Sequence, residues 1–340
     1  MVAAPAVPTL DRAARHLPGP WMWLGTAAAL VGASASAVGL LAGNRIYGQE
    51  TATLADAATA QDAVNLVLVS PLLVATGVAA HRGSVRAYLI WLGCLAFTAY
   101  NYAIYAFSIH FGPLFLPWVA VLGLAVYALA GGLAGGDPAE VKAKFGGRSM
   151  AVTAWTLIVL AALFMLLWLS EVLPDLLAEA PSRSASDWNV PTNPVHVLDL
   201  AIFLPAVLAT GVLLLRRHQV GYAAAPAQLV FLALTCVPIL FTPAVADLRG
   251  HAASWSVVPP MAIVLAVVGA VLSRTLRAMS GYEITNPQRV HRTAVVVSGR
   301  SVTIERLQAH DLRPCQDGSG PQVSAQGEDR SQGARAWGEP

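Results

Sequence analysis

Residues 193–217 read NPVHVLDLAIFLPAVLATGVLLLRR. No charge interrupts Leu200 to Leu215, and Arg216 and Arg217 end the run. A helix needs roughly 20 apolar residues to cross the hydrocarbon core of a bilayer. Counting that length back from Arg216 reaches Val197 or His196 and takes in Asp199. A helix starting after Asp199 would be only about 24 Å long at 1.5 Å per residue, short of a core of roughly 30 Å. Asn193 and Pro194 fit an N-cap and a first helical residue. His196 and Asp199 then face the same way, three residues apart. Pro205 falls in mid-span, where it removes an amide and frees the carbonyl of Ala201.

The same lipid-like character recurs along the chain. Hydrophobic residues make up 56% of the sequence and charged residues 12%, against roughly 25% charged in globular proteins. The apolar residues come in long blocks without period-two alternation, which argues for helices and against a transmembrane barrel. Eight spans result, near 21–43, 62–81, 87–109, 113–134, 150–171, 196–215, 224–246 and 254–274. The expected fold is an all-α membrane protein, with the lipid bilayer as its partner and no nucleic acid.

Charge placement gives orientation. Arg12, Arg15, Arg82, Arg86, Lys142, Lys144, Arg148, Arg216, Arg217, Arg274 and Arg277 all fall at alternate ends of the spans. The opposite loops carry Arg45, Arg183 and Arg249 against nine acidic residues. The positive-inside rule then puts both termini in the cytoplasm, and a bacterial plasma membrane is the expected location. The run after Arg15, with its ASASA stretch, also resembles a signal peptide, but it stays apolar beyond that point. Cys94, Cys236 and Cys315 show no metal spacing and read as packing or tail residues.

The chain also looks duplicated. PLLVATGV at 71–78 falls on PAVLATGV at 205–212, Arg82 on Arg216, Tyr88 on Tyr222 and Phe97 on Phe231; 11 of 38 positions match without a gap. Each half would hold four spans, 21–134 and 150–274. The cytoplasmic N-terminus covers 1–20, the linker 135–149 and a largely disordered tail 275–340. Within that tail TAVVVSGRSVTIERL suggests a hairpin about Ser298–Gly299. An even number of spans per half gives parallel repeats about an axis along the membrane normal. Asp62 then matches His196, Asn65 matches Asp199, and Pro71 matches Pro205.

The segment QDAVNLVLVSPLLVATGVAAHRGSVRAYLIWLG with YNYAIYAF and PLFL, and NPVHVLDLAIFLP with the GYAAAPA stretch, resemble a family of uncharacterised bacterial multi-pass membrane proteins. That resemblance covers roughly residues 20–275. It implies the architecture and no settled activity.

Ionisable groups within a membrane usually face the bundle interior or a wet cavity. Asp62, Asn65, His196 and Asp199 are therefore candidate ligand or ion sites, with Tyr100, Asn101 and Tyr105 from the third span and Glu171 from the fifth. Together such groups can hold a proton, a small cation or a divalent metal. Other roles are available to them: Asp62 as a cap of its span, His196 at the headgroup level, the tyrosines as interfacial anchors. Pro71 and Pro205 are expected kinks that shape a cavity or bend helices around a core. No catalytic residue is identified: HExxH, P-loop, GxGxxG and GxSxG patterns are absent, and no cofactor is specified. Three readings follow: a transporter or permease-like protein with an outward-opening polar site, a sensor or assembly factor acting at the outer face, or an enzyme acting on lipid. The expectation common to them is one shared polar pocket.

Overall fold

The computed structural model describes residues 19–279 and the backbone of two strands, Ala294–Val297 and Arg300–Thr303. Among the described residues eight helices are long and apolar enough to cross a membrane: spans 1 to 8 are Gly19–Leu41, Ala52–His81, Val85–Ser108, Phe115–Gly135, Ala151–Leu177, Pro194–Leu215, Gln219–Leu248 and Trp255–Ala278. In lipid every backbone polar group must be satisfied inside the segment, so an apolar run of this length folds as a helix.

Several helix starts are chemically marked. Thr51 Oγ1 accepts from Leu54 N, Ser84 Oγ from Ala87 N, and Asn193 Oδ1 from Val195 N. Three boundaries differ by five residues or more from the sequence-based ones. Span 2 starts at Ala52 rather than near 62, span 5 runs on to Leu177 rather than 171, and span 7 starts at Gln219 rather than near 224. Asp62 is therefore well inside its helix and does not cap it, because Thr51 does. Short helices at Gly43–Tyr47, Pro138–Ala143 and Arg183–Trp188 fill three of the connections.

Spans 2 and 6 share an unusual interior. Each contains one π-helical turn, Asn65–Val69 in span 2 and Asp199–Phe203 in span 6. Ser70 N reaches back to the Asn65 carbonyl, and Leu204 N to the Asp199 carbonyl. A proline follows directly, Pro71 or Pro205. It lacks the N–H that an unbroken ladder would need there, so the wide turn falls where the hydrogen-bond pattern is already open. Proline and π-turns are both recognised causes of helix bending. Both helices also end alike. Gly83 (φ 94°) and Arg217 (φ 54°) adopt the left-handed conformation. Ser84 N then bonds the Ala79 carbonyl, as His218 N bonds that of Leu213. These features stand at Asn65 and Asp199, Gly83 and Arg217, all with the spacing that relates PLLVATGV to PAVLATGV.

Within the first four spans, span 1 packs on spans 2 and 4, and span 3 on spans 2 and 4. Within the last four, span 6 packs on spans 5 and 7, and span 7 on span 8. Spans 3 and 7 join the two groups, and span 7 also lies along the first half of span 2. Gly93 makes the central approach possible: a Cβ there would stand 2.6 Å from the Ala227 carbonyl oxygen. Nearby, Phe203 and Phe231 stack at 4.6 Å, with the Tyr100 ring edge-on to both. Span 3 is the hub, with 78% of its apolar stretch buried inside the protein; span 8, at 11%, is peripheral.

The two strands pair antiparallel, with Val297 opposite Arg300. The other features expected of residues 280–340, the hairpin turn at Ser298–Gly299 included, lie outside the described residues, as do Arg12 and Arg15; the ASASA stretch lies within the helix Gly19–Leu41.

Candidate functional site

Asp62 is almost fully buried, 1% exposed. Span 1 approaches it at Gly39, where any Cβ would collide with the carboxylate. The helix Gly43–Tyr47 then turns the chain back and brings Tyr47 alongside. Tyr47 OH donates to Asp62 Oδ2 at 2.5 Å. Tyr105 OH, from span 3, lies 3.0 Å from both Asp62 Oδ1 and the Ala58 carbonyl, so its one proton serves two acceptors. Ser36 faces Asp62 and Tyr102. Yet the buried Ser36 Oγ and Tyr102 OH form no hydrogen bond of good geometry. Burial, and then the carboxylate beside it, push the Tyr47 phenol well above its ordinary range. Tyr47 is therefore a donor at any ordinary pH.

Asn65 begins the π-turn one helical turn further on. Its Oδ1 accepts from Gln61 Nε2 at 2.9 Å and from Asn101 Nδ2 at 3.3 Å, while its own Nδ2 is buried without a partner. An unused donor in a dry interior costs roughly 1–3 kcal/mol, so this side chain has spare capacity for a further polar group.

Asp199 begins the second π-turn. Its Oδ2 accepts from Trp168 Nε1 at 2.8 Å, and the Tyr100 hydroxyl interacts with the same carboxylate. The Trp168 ring also packs on His196 at 4.6 Å. His196, 7% exposed, faces Glu171 with Nε2 3.4 Å from Oε2.

The predicted residues thus meet in four contacts: Asp62 with Tyr105, Asn65 with Asn101, Asp199 with Tyr100, and His196 with Glu171. Where one pocket was expected, these contacts fall into two clusters, one centred on Asp62 and Asn65 and the other on Asp199. Adjacent residues of span 3 serve them separately, Asn101 the first and Tyr100 the second. Among the described residues no three His, Cys, Asp or Glu side chains come together to hold a metal ion.

Sequence reasoning missed Tyr47, Ser36, Tyr102 and Trp168. Tyr47 stood in a loop, and Trp168 in a stretch that reads as plain lipid-facing helix. It also missed the clasp at the acidic face, where Arg249 Nη1 and His251 Nδ1 bind the two oxygens of Asp56 at 3.0 and 2.8 Å. The His110 backbone N–H and Nδ1 hold the Glu50 carboxylate there, each at 2.9 Å.

Compared with known proteins, the chain matches no family model, no curated protein and no solved structure.

Proposed function

We propose that this integral membrane protein is permease-like, and that Asp62 and Asp199 receive the proton or small cation it carries or is driven by. The observation that supports this most directly is the pair of π-turns. Each widens a span beside a proline and has a polar residue at its first position. Single π-turns inside helices are frequent at functional sites. A carboxylate within the membrane is costly unless something offsets its charge. At Asp62 the surrounding hydroxyls supply donors, and the two unpartnered oxygens of Ser36 and Tyr102 supply further acceptors for a cation or an acidic proton.

The proposal includes a duplication of the chain. Matched π-turns, matched left-handed helix ends and the meeting of Gly93 with its own counterpart Ala227 support it. Contact between equivalent residues is what a two-fold axis along the membrane normal would produce. The proposal also includes the likeness to uncharacterised bacterial membrane proteins, and a plasma-membrane location with the basic face and both termini in the cytoplasm.

Proteoliposomes containing the full chain test the reading. Under imposed proton, sodium and potassium gradients, reported by pH- and ion-sensitive dyes, at least one flux is expected above empty vesicles. Asp62→Asn and Asp199→Asn are expected to reduce it at least tenfold, with unchanged elution and helix content. Folded wild-type protein that passes none of the three ions would overturn the reading.

A second reading, a sensor or assembly factor, has one specific observation behind it. The Asp56 clasp and the Thr51 hydroxyl, which donates to the Asp187 carbonyl at 2.7 Å, tie connections from both halves into one ordered acidic face. It predicts a crosslinked partner at that face and no flux.

A further inference from the structure

In the first half, spans 1 and 4 pack closely, with the Trp21 ring lying on Gly131 and leaving no room for a Cβ. The second half is built differently at the corresponding place. Trp155, the counterpart of Trp21, is 56% exposed. Spans 5 and 8 touch far less than spans 1 and 4. Thr153 Oγ1 and Thr275 Oγ1 meet at 2.9 Å. Beside them lies a cavity of about 320 Å³, lined by Arg148, Ser149, Val152, Arg274 and Arg277 among others.

Three arginines therefore line one small space at the basic face. Arg148 is held at its edge by donating Nη1 to the Ala278 carbonyl at 3.0 Å. Arg274 and Arg277 form no ion pair among the described residues. The helix Ala151–Leu177 starts here without a side-chain cap, so its first amides and its dipole add to the positive potential. Guanidinium groups match phosphate oxygens in paired hydrogen bonds.

We infer that the notch between the start of span 5 and the end of span 8 binds the phosphate headgroup of an anionic phospholipid through Arg148, Arg274 and Arg277. The lipid source follows from the setting. The cavity is at the ends of spans 5 and 8, which the rest of the protein leaves largely uncovered: only 28% and 11% of their most apolar stretches are buried. Its arginines therefore stand at headgroup level. Val152 and the exposed Trp155 continue from it along span 5, where acyl chains would run. Basic pockets between spans on this side are established headgroup sites in other membrane proteins. This inference does not depend on the permease reading.

The test uses the full wild-type chain in nanodiscs of equal phosphatidylglycerol and phosphatidylcholine, released into native mass spectrometry. The expected result is preferential retention of one phosphatidylglycerol, severalfold over phosphatidylcholine. Detergent-solubilised protein should also gain thermal stability with added phosphatidylglycerol and not with inorganic phosphate. Arg274→Gln/Arg277→Gln should abolish both effects, while Arg216→Gln/Arg217→Gln, an equal charge loss on the same face, should leave them. Equal retention of both lipids overturns the proposal, as does an equal loss in the two double variants. A stability gain from inorganic phosphate that matches phosphatidylglycerol would reassign the notch to a soluble anion. If the Arg274/Arg277 variant fails to fold, wild-type lipid retention still decides the outcome.

Discussion

Arg249 Nη1 lies 3.0 Å from Asp56 Oδ1, and this contact ties the connection after span 7 to the first turns of span 2. Arg249 also reaches Thr59 Oγ1 at 3.2 Å, and His251 Nδ1 holds the other Asp56 oxygen. Asp56 is almost fully buried, so it depends on these partners. Arg249→Ala is expected to lower stability by about 1.5–3 kcal/mol, the range for a hydrogen bond to a charged group. Asp56→Asn should cost a similar amount, and the double variant less than the sum. Denaturation in detergent measures all three, and strict additivity would show that the clasp carries no coupling.

Tyr47 makes a prediction about pH. Its phenol is raised in the folded protein by burial and by Asp62, while an unfolded tyrosine ionises near about 10. The folded state therefore holds its proton where the unfolded state releases it. The stabilisation is complete below about pH 10 and declines as pH rises above that, with a slope of up to about 1.4 kcal/mol per pH unit. Tyr47→Phe should be less stable near neutrality and should show an alkaline decline shallower by one proton. Unfolding curves from pH 8 to 11 would show it; identical slopes would refute it.

Arg217 occupies the left-handed conformation that Gly83 occupies at the end of span 2. For a residue with a Cβ this conformation costs roughly 1–2 kcal/mol, and glycine is favoured at such helix ends. Arg217→Gly should therefore raise stability by about 0.5–1 kcal/mol. Gly83→Ala should lower it by a similar amount. Thermal denaturation of the two single variants is sufficient.

The indole of Trp168 contributes both a donor to Asp199 and a ring against His196. Trp168→Phe keeps most of the ring contact and removes the donor. A loss of about 1–3 kcal/mol is expected. If the permease reading holds, ion flux should change as well, because Asp199 retains only Tyr100. Trp168→Phe with unaltered stability and flux would separate Trp168 from the site.

The position of Asp62 shows where sequence-based reasoning stopped. Its charge, like that of Asp56, made 62 look like the start of a span. The helix in fact begins at Ala52, because Tyr47 and Tyr105 shelter one carboxylate and Arg249 and His251 the other. Those partners come from separate elements, and no local pattern announces them. Trp168 was illegible for the same reason: in sequence it is one more large apolar residue of span 5.

The number of spans, their helical form and the sidedness of the charges were decided by the sequence alone. Lipid offers the backbone no hydrogen bonds, so long apolar runs have one stable local structure. The pairing of polar groups was decided by the tertiary structure. Tyr100 and Asn101 are neighbours in the chain, yet one serves Asp199 and the other Asn65, because span 3 runs between the two groups of helices and successive side chains point about 100° apart around it.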